Sequence, residues 1–280
     1  LTGAAVTALL QSSSAVTVMV IAFLAAGLLQ LRQAVPVVFG ANIGTTVTAQ
    51  LLAFRLESWR YLLLFGGVLL CLACKNWRGR CAGEAVFGFG LLFEGVTVMR
   101  SALEPLLQHP LFRQQLARVL QSPWQGLAAG ICMTLTVQSS SATVALLQSL
   151  AVQPGADGVH SVLGLAGAIP ILLGDNIGTT ITAVLASIGQ SRDAKRVAAA
   201  HAIFNLSGAV VCCALLQPFT ALVQWCSPTG AECTVLARQI ANAHTLFNGL
   251  CALVWLPLTG QMVRLVCVLL PDKNRPPERL

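Results

Sequence analysis

Long apolar stretches alternate with short polar ones along the whole chain, and the apolar stretches set the elements. A helix that crosses a membrane needs about 20 predominantly apolar residues. Segments near that length or longer are 4–29, 34–54, 60–76, 84–108, 122–153, 160–190, 195–217 and 234–270. Each reads as helical, and the chain as an all-α polytopic membrane protein. Two segments, 4–29 and 122–153, are interrupted near the middle by four polar residues. These blocks are Gln11-Ser12-Ser13-Ser14 and Gln138-Ser139-Ser140-Ser141, and the segments are expected to form re-entrant hairpins. Two more, 34–54 and 160–190, carry Asn-Ile-Gly-Thr-Thr and are expected to break there. The stretch 111–121 sets Leu111, Leu116, Val119 and Leu120 against Arg113 and Arg118, the pattern of a helix lying in the membrane interface.

The interruptions are duplicated. Gln-Ser-Ser-Ser-Ala occurs at 11–15 and 138–142, 127 residues apart. Asn-Ile-Gly-Thr-Thr follows at 42–46 and 176–180, 134 residues apart. The seven extra residues fit the polar loop 153–160. Two blocks repeated in order mark an internal duplication. The expected units are repeat 1 over 1–83, repeat 2 over 84–192, and further transmembrane helices with a polar tail over 193–280. Repeat 2 has an apolar helix about 50 residues ahead of its Gln-Ser-Ser-Ser block, whereas ten residues precede Gln11. A first helix is therefore expected to be missing from repeat 1, or replaced by another.

Composition narrows the class. The chain has 280 residues, 56% apolar and 10% charged, against roughly 25% charged in a soluble domain. That excludes a soluble enzyme or a nucleic-acid binder and makes the lipid bilayer the main environment. The net charge of +7 then reads as orientation, because Lys and Arg collect in cytoplasmic loops. Arg32, the Lys75/Arg78/Arg80 and Arg192/Lys195/Arg196 loops and the Lys273/Arg275/Arg279 tail fall on one face, read as cytoplasmic. Arg55, Arg60, Arg113 and Arg118 fall on the other. The two hairpins then start from opposite faces, which makes the repeats inverted. Most of the ten cysteines lie in apolar runs and read as small buried hydrophobes. Cys226 and Cys233 flank a turn-rich loop, where a disulfide would suit an oxidising compartment.

Polar runs inside apolar spans need partners away from water. Scattered Ser is helix–helix glue, but two identical runs at equivalent positions point to a binding site at broken helices. Ser hydroxyls and helix N-terminal N–H groups donate to an oxyanion. Neutral oxygens at Asn42, Thr45, Thr46, Asn176, Thr179 and Thr180, with Asp175, suit Na⁺, which would supply the charge that no Arg supplies. Simple capping is the alternative role for these blocks, Asp175 included. His201 and His244 each precede Phe by three residues and Asn by four, and read as hydrogen-bonded structural residues, with proton or ion handling as the alternative role. Glu94 pairs with Arg100 or binds a cation, and Arg238 snorkels to the interface.

The paired Gln-Ser-Ser-Ser blocks, Gly40-Ala41-Asn42-Ile43-Gly44-Thr45-Thr46 and Gly174-Asp175-Asn176-Ile177-Gly178-Thr179-Thr180 resemble the type II sodium-dependent phosphate cotransporters. So do His201-Ala202-Ile203-Phe204-Asn205 and its echo His244-Thr245-Leu246-Phe247-Asn248, and the likeness runs through nearly the whole chain. The resemblance is to a bacterial-type member. It implies inorganic phosphate as substrate and Na⁺ as coupling ion, with no other cofactor. It also implies a bacterial inner (plasma) membrane location and a phosphate site lined by Gln11, Ser12, Ser13, Ser14, Gln138, Ser139, Ser140 and Ser141. Electrogenic animal members carry Asp directly after the His of the His-x-x-Phe-Asn motif. Ala202 and Thr245 stand there, which implies electroneutral transport. Rival readings are a sodium symporter for sulfate or a carboxylate, a passive anion channel, and an intramembrane serine hydrolase with His201 or His244 as base. Homo-oligomerisation is left open.

Overall fold

The computed structural model describes residues 1–54, 56–155 and 157–271, Glu57 without its side chain. Arg55 and the basic tail Lys273, Arg275 and Arg279 lie outside these residues. The described chain is a helical assembly. Helices α1 (Thr2–Leu10), α2 (Ser13–Ala25) and α3 (Leu31–Leu52) come first. A short 3-10 turn leads to α4 (Arg60–Ala73), α5 (Trp77–Gln108) and α6 (Pro110–Leu120). Then come α7 (Pro123–Val137), α8 (Ser140–Ala151) and α9 (Gly164–Ala186). Last are α10 (Arg192–Ala214), α11 (Leu216–Trp225), α12 (Glu232–Trp255) and α13 (Thr259–Leu269). α3, α5, α9 and α10 are long and apolar enough to cross a membrane. α12 and α13 together make a fifth candidate, bent by 83°.

Both expected hairpins are present. A Cβ on Gly3 would meet Val37, one on Gly44 would meet Thr7, and Gln11 hydrogen-bonds Thr48. α1 therefore runs alongside α3 in the same direction. α2 then returns, packing Ile21 and Leu24 into the cluster that holds Ala34 and Val38. α7 lies on α9 in the same way, with Gly126 over Pro170 and Gly178 over Thr134. The approach is close enough that a Cβ on Gly130 would stand 1.9 Å from the Ile171 carbonyl oxygen. Small residues permit such backbone contact between membrane helices.

Three expectations about breaks are corrected. The Asn-Ile-Gly-Thr-Thr blocks do not interrupt their helices: α3 and α9 run through them, with Pro36 and Pro170 also inside. The reason is local. Thr45 donates to the Ala41 carbonyl, Thr46 to Ile43, Thr179 to Asp175 and Thr180 to Ile177, so each hydroxyl is satisfied within its own helix. Conversely, 234–270 is not one segment but the bent pair α12 and α13, with Pro257 in the break. The expected 195–217 segment ends near Leu215, and α11 follows as a separate helix.

Other expectations fare variously. The interfacial stretch is a single helix, α6, with no buried residue. Cys226 and Cys233 are free thiols. The Cys233 thiol donates to the Val159 carbonyl at 3.8 Å, and Asn242 donates to the Cys226 carbonyl. Cys213 and Cys251 are buried as expected, whereas Cys132 is exposed. Glu94 pairs with Arg60 on α4 at 2.7 Å. Arg238 is tied down: it donates to the Gln50 side chain at 2.8 Å and stacks over Phe54 at 4.3 Å.

Candidate functional site

Each hairpin turns at a matched pair of residues. Gln11 closes α1 in the left-handed conformation, with φ 57° and ψ 23°. Gln138 closes α7 with φ 57° and ψ 20°. Left-handed backbone is costly for a residue with a Cβ, by about 1–2 kcal/mol, yet both turns use it. Ser12 and Ser139 follow with extended backbone and cap the next helix, their hydroxyls accepting from the N–H of Ala15 and Ala142. The first turn of α2 and of α8 thus opens at a Ser cluster with N–H groups that have no partner inside the helix.

The first block is drawn between the two long helices. The Gln11 side chain binds Thr48 on α3, and Thr182 on α9 donates to Ser14 at 3.1 Å. Ser13 is buried at 4% exposure. In the second block the bonds are local: Gln138 donates to the Leu135 carbonyl, and Ser139 accepts from Ala142 and Thr143. Ser139 is exposed, and Ser140 and Ser141 are half-buried.

The other candidate residues form a buried polar layer around the middle of α3 and α9. Asn42, Thr45 and Thr46 are buried, as are Asp175, Asn176, Thr179 and Thr180. The four Thr hydroxyls use their protons on backbone carbonyls, which leaves oxygen lone pairs available. Asp175 accepts from Thr134 at 2.6 Å through one carboxylate oxygen. Its other oxygen is buried with no hydrogen-bond partner among the described residues.

α10 and α12 complete the layer, and sequence reasoning missed how. His201 Nε2 lies 3.0 Å from Asn42 Oδ1. Because that oxygen only accepts, Nε2 carries the proton of this bond. On the other side Asn248 donates to Asn176 Oδ1 at 3.3 Å. Each motif also closes on itself, Asn205 donating to the His201 carbonyl and Asn248 to the His244 carbonyl, both at 3.0 Å. The side-chain oxygens of Asn205 and Asn248 are left buried without a hydrogen-bond donor among the described residues. Unsatisfied buried oxygens on Asp175, Asn205 and Asn248 are a feature an oxygen-seeking cation would relieve. The echo of His-x-x-Phe-Asn was the signal that would have found these two residues. Among the described hydrogen bonds no Ser of either block touches His201 or His244, so the nucleophile and base that a hydrolase needs are not paired.

A family model described as Na+/Pi-cotransporter matches the chain twice, over residues 1–101 and 91–227. The chain belongs to the Na+/Pi-cotransporter family. It is thus a transporter family member and not an enzyme. The chain is 33% identical over 267 residues to "Uncharacterized protein YqeW" of Bacillus subtilis, covering 95% of this chain and 82% of that protein. It is 28% identical over 271 residues to "Putative inorganic phosphate export protein YjbB" of Escherichia coli, covering 97% of this chain and 48% of the relative. A 75-residue stretch is 42% identical to "Sodium-dependent phosphate transport protein 2A" of Rattus norvegicus, covering 27% of this chain and 11% of that protein. No solved structure matches the chain.

Proposed function

We propose that this protein moves inorganic phosphate across a bacterial inner membrane by sodium-coupled symport with alternating access. The observation that carries the reading is the pair of hairpin turns, each with a left-handed Gln and a Ser-capped helix start. Two such starts offer a tetrahedral oxyanion hydroxyl and N–H donors from both repeats. Phosphate would be bound by Gln11, Ser12, Ser13 and Ser14 with Gln138, Ser139, Ser140 and Ser141. Na⁺ would take oxygens from Asn42, Thr45, Thr46, Asp175, Asn176, Thr179 and Thr180, and the unpartnered oxygens of Asn205 and Asn248 extend that set. Sodium here offsets phosphate charge in a layer where no Lys or Arg is among the proposed ligands. The repeats, 1–83 and 84–192, are read as inverted, with 193–280 supplying α10 and α12.

The names of the relatives pull in two directions, one toward phosphate export and one toward sodium-dependent transport. Sodium coupling decides between them. Radiolabelled phosphate uptake into proteoliposomes under an inward Na⁺ gradient is expected to exceed uptake under an equal K⁺ gradient. Sulfate in excess is expected to leave it unchanged. Equal flux under both gradients would point to a channel or another driving ion, and block by sulfate would move the substrate to another oxyanion.

A further inference from the structure

The C-terminal half of each long helix is clasped by a hairpin arm of the other repeat and by one helix of the C-terminal region. α3 lies between α8 and α12, and α9 lies between α2 and α10. The repeat spacings make the two clasps comparable position by position. Gln148 corresponds to Ile21, Ala49 and Gln50 to Ala183 and Val184, and Ala237, Asn242 and Thr245 to Ala194, Ala199 and Ala202.

The clasps differ in chemistry. In the first, buried Gln148 donates to the Ala49 carbonyl at 3.1 Å and to the Ala237 carbonyl at 2.9 Å, tying α8 to α3 and α12 at once. Gln50 donates to Asn242 and Thr245, both at 3.0 Å. Arg238 adds bonds to the Gln50 side chain and carbonyl. In the second clasp the counterparts of Gln148, Gln50, Asn242 and Thr245 are aliphatic, Lys195 stands in the place of Arg238, and Ile21, Ala183 and Ala194 share one buried apolar cluster. The bond from Thr182 to Ser14 sits at the hairpin tip. Thr182 also donates to the Thr179 carbonyl, so giving up Ser14 leaves no orphan donor.

Sliding one helix on another in a dry interior separates these cases. Every hydrogen bond broken without a new partner costs roughly 1–3 kcal/mol. Aliphatic surfaces exchange neighbours with little loss, because lipid and side chain are equally apolar. We infer that the transport movement shears the apolar clasp, α2 and α10 against α9, while α3, α8 and α12 move as one body. The movement itself rests on the alternating-access reading above.

Two double variants in a background without the native cysteines test this. Ala183→Cys with Ala194→Cys spans the apolar clasp, and Ala49→Cys with Ala237→Cys spans the hydrogen-bonded one. A short thiol-reactive bridging reagent that a reductant can remove is applied to each. Bridging the first pair is expected to lower sodium-driven phosphate uptake at least about tenfold, reversibly, and bridging the second to leave it within about twofold. The reverse pattern, block by both bridges or block by neither would overturn the inference. Amide hydrogen exchange of the unmodified protein in lipid nanodiscs supplies a readout that needs no transport. Exchange is expected to be slower in α8 and Leu236–Asn248 than in α2 and Val197–Gly208. Equal or opposite protection overturns the inference even in a sample with no phosphate flux. Absent flux with the expected protection would sink the transport reading alone.

Discussion

Gln11 and Gln138 show how one residue type, placed once per repeat, ends a helix that composition alone would continue. The left-handed turn positions Ser12 and Ser139 as caps, and the capped starts are the proposed anion site. Elsewhere single residues hold loops by charge. In the loop after α8, Asp157 accepts from His160 Nδ1 at 2.6 Å and from the N–H groups of Val159 and His160. The His160 bond first, then those backbone bonds, hold the Asp157 carboxyl down at about 2. The same carboxylate raises His160 above its ordinary 6.5. The signs follow by linkage. The lowered Asp157 favours the folded loop above pH 3.8, and this support is lost as pH falls through about 2. The raised His160 favours it fully below pH 6.5, and that support fades as pH rises through the folded value. An NMR titration is expected to give His160 a midpoint above that of a free histidine, falling back in Asp157→Asn. An unchanged midpoint in that variant would mean that the pair does not form.

At the scale of elements, the fold depends on hairpin arms packed backbone to backbone on α3 and α9. Gly130→Ala would push a methyl to 1.9 Å from a backbone oxygen that has nowhere to go. Overpacking of this kind costs about 1–3 kcal/mol. A clear fall in the melting temperature of the detergent-solubilised protein is the expected result. Gly249→Ala meets nothing within 4 Å and is expected to leave the melting temperature unchanged or raise it. Equal effects from both would remove the close α7–α9 contact from the account. Much of this was legible from the chain, since Gln-Ser-Ser-Ser inside an apolar run has few structural solutions. The continuity of α3 and α9 was not. Polarity marks Asn-Ile-Gly-Thr-Thr as a break, whereas the Thr hydroxyls bond back to their own helix. Pro257 and Pro218 did signal the ends that the apolar pattern ran through. The pairing of Glu94 with Arg60 rather than Arg100 depends on α4 packing against α5, which no local pattern encodes.

At the scale of the molecule, the two motif-bearing hairpins are similar, and their differences carry as much meaning as their likeness. Asp175 stands where the first block has Ala41, and its partner Thr134 corresponds to Thr7, whose hydroxyl is buried without a partner among the described residues. The polar layer is thus lopsided, with Asp175 its only carboxylate among the described residues. His201 and Asn248 bind Asn42 and Asn176, so helices beyond both repeats close the layer. That part was legible only as an echoed motif, because its partners lie far away in sequence. Both Ser blocks are proposed to act together on one phosphate. The most direct measurement is sodium-driven phosphate uptake in proteoliposomes for Ser13→Ala, Ser140→Ala and the double variant, with correct folding checked by monodispersity. Each single change is expected to lower uptake at least about tenfold, with the double variant little worse, because the two act on one ligand. Full uptake in either single variant would contradict a shared site.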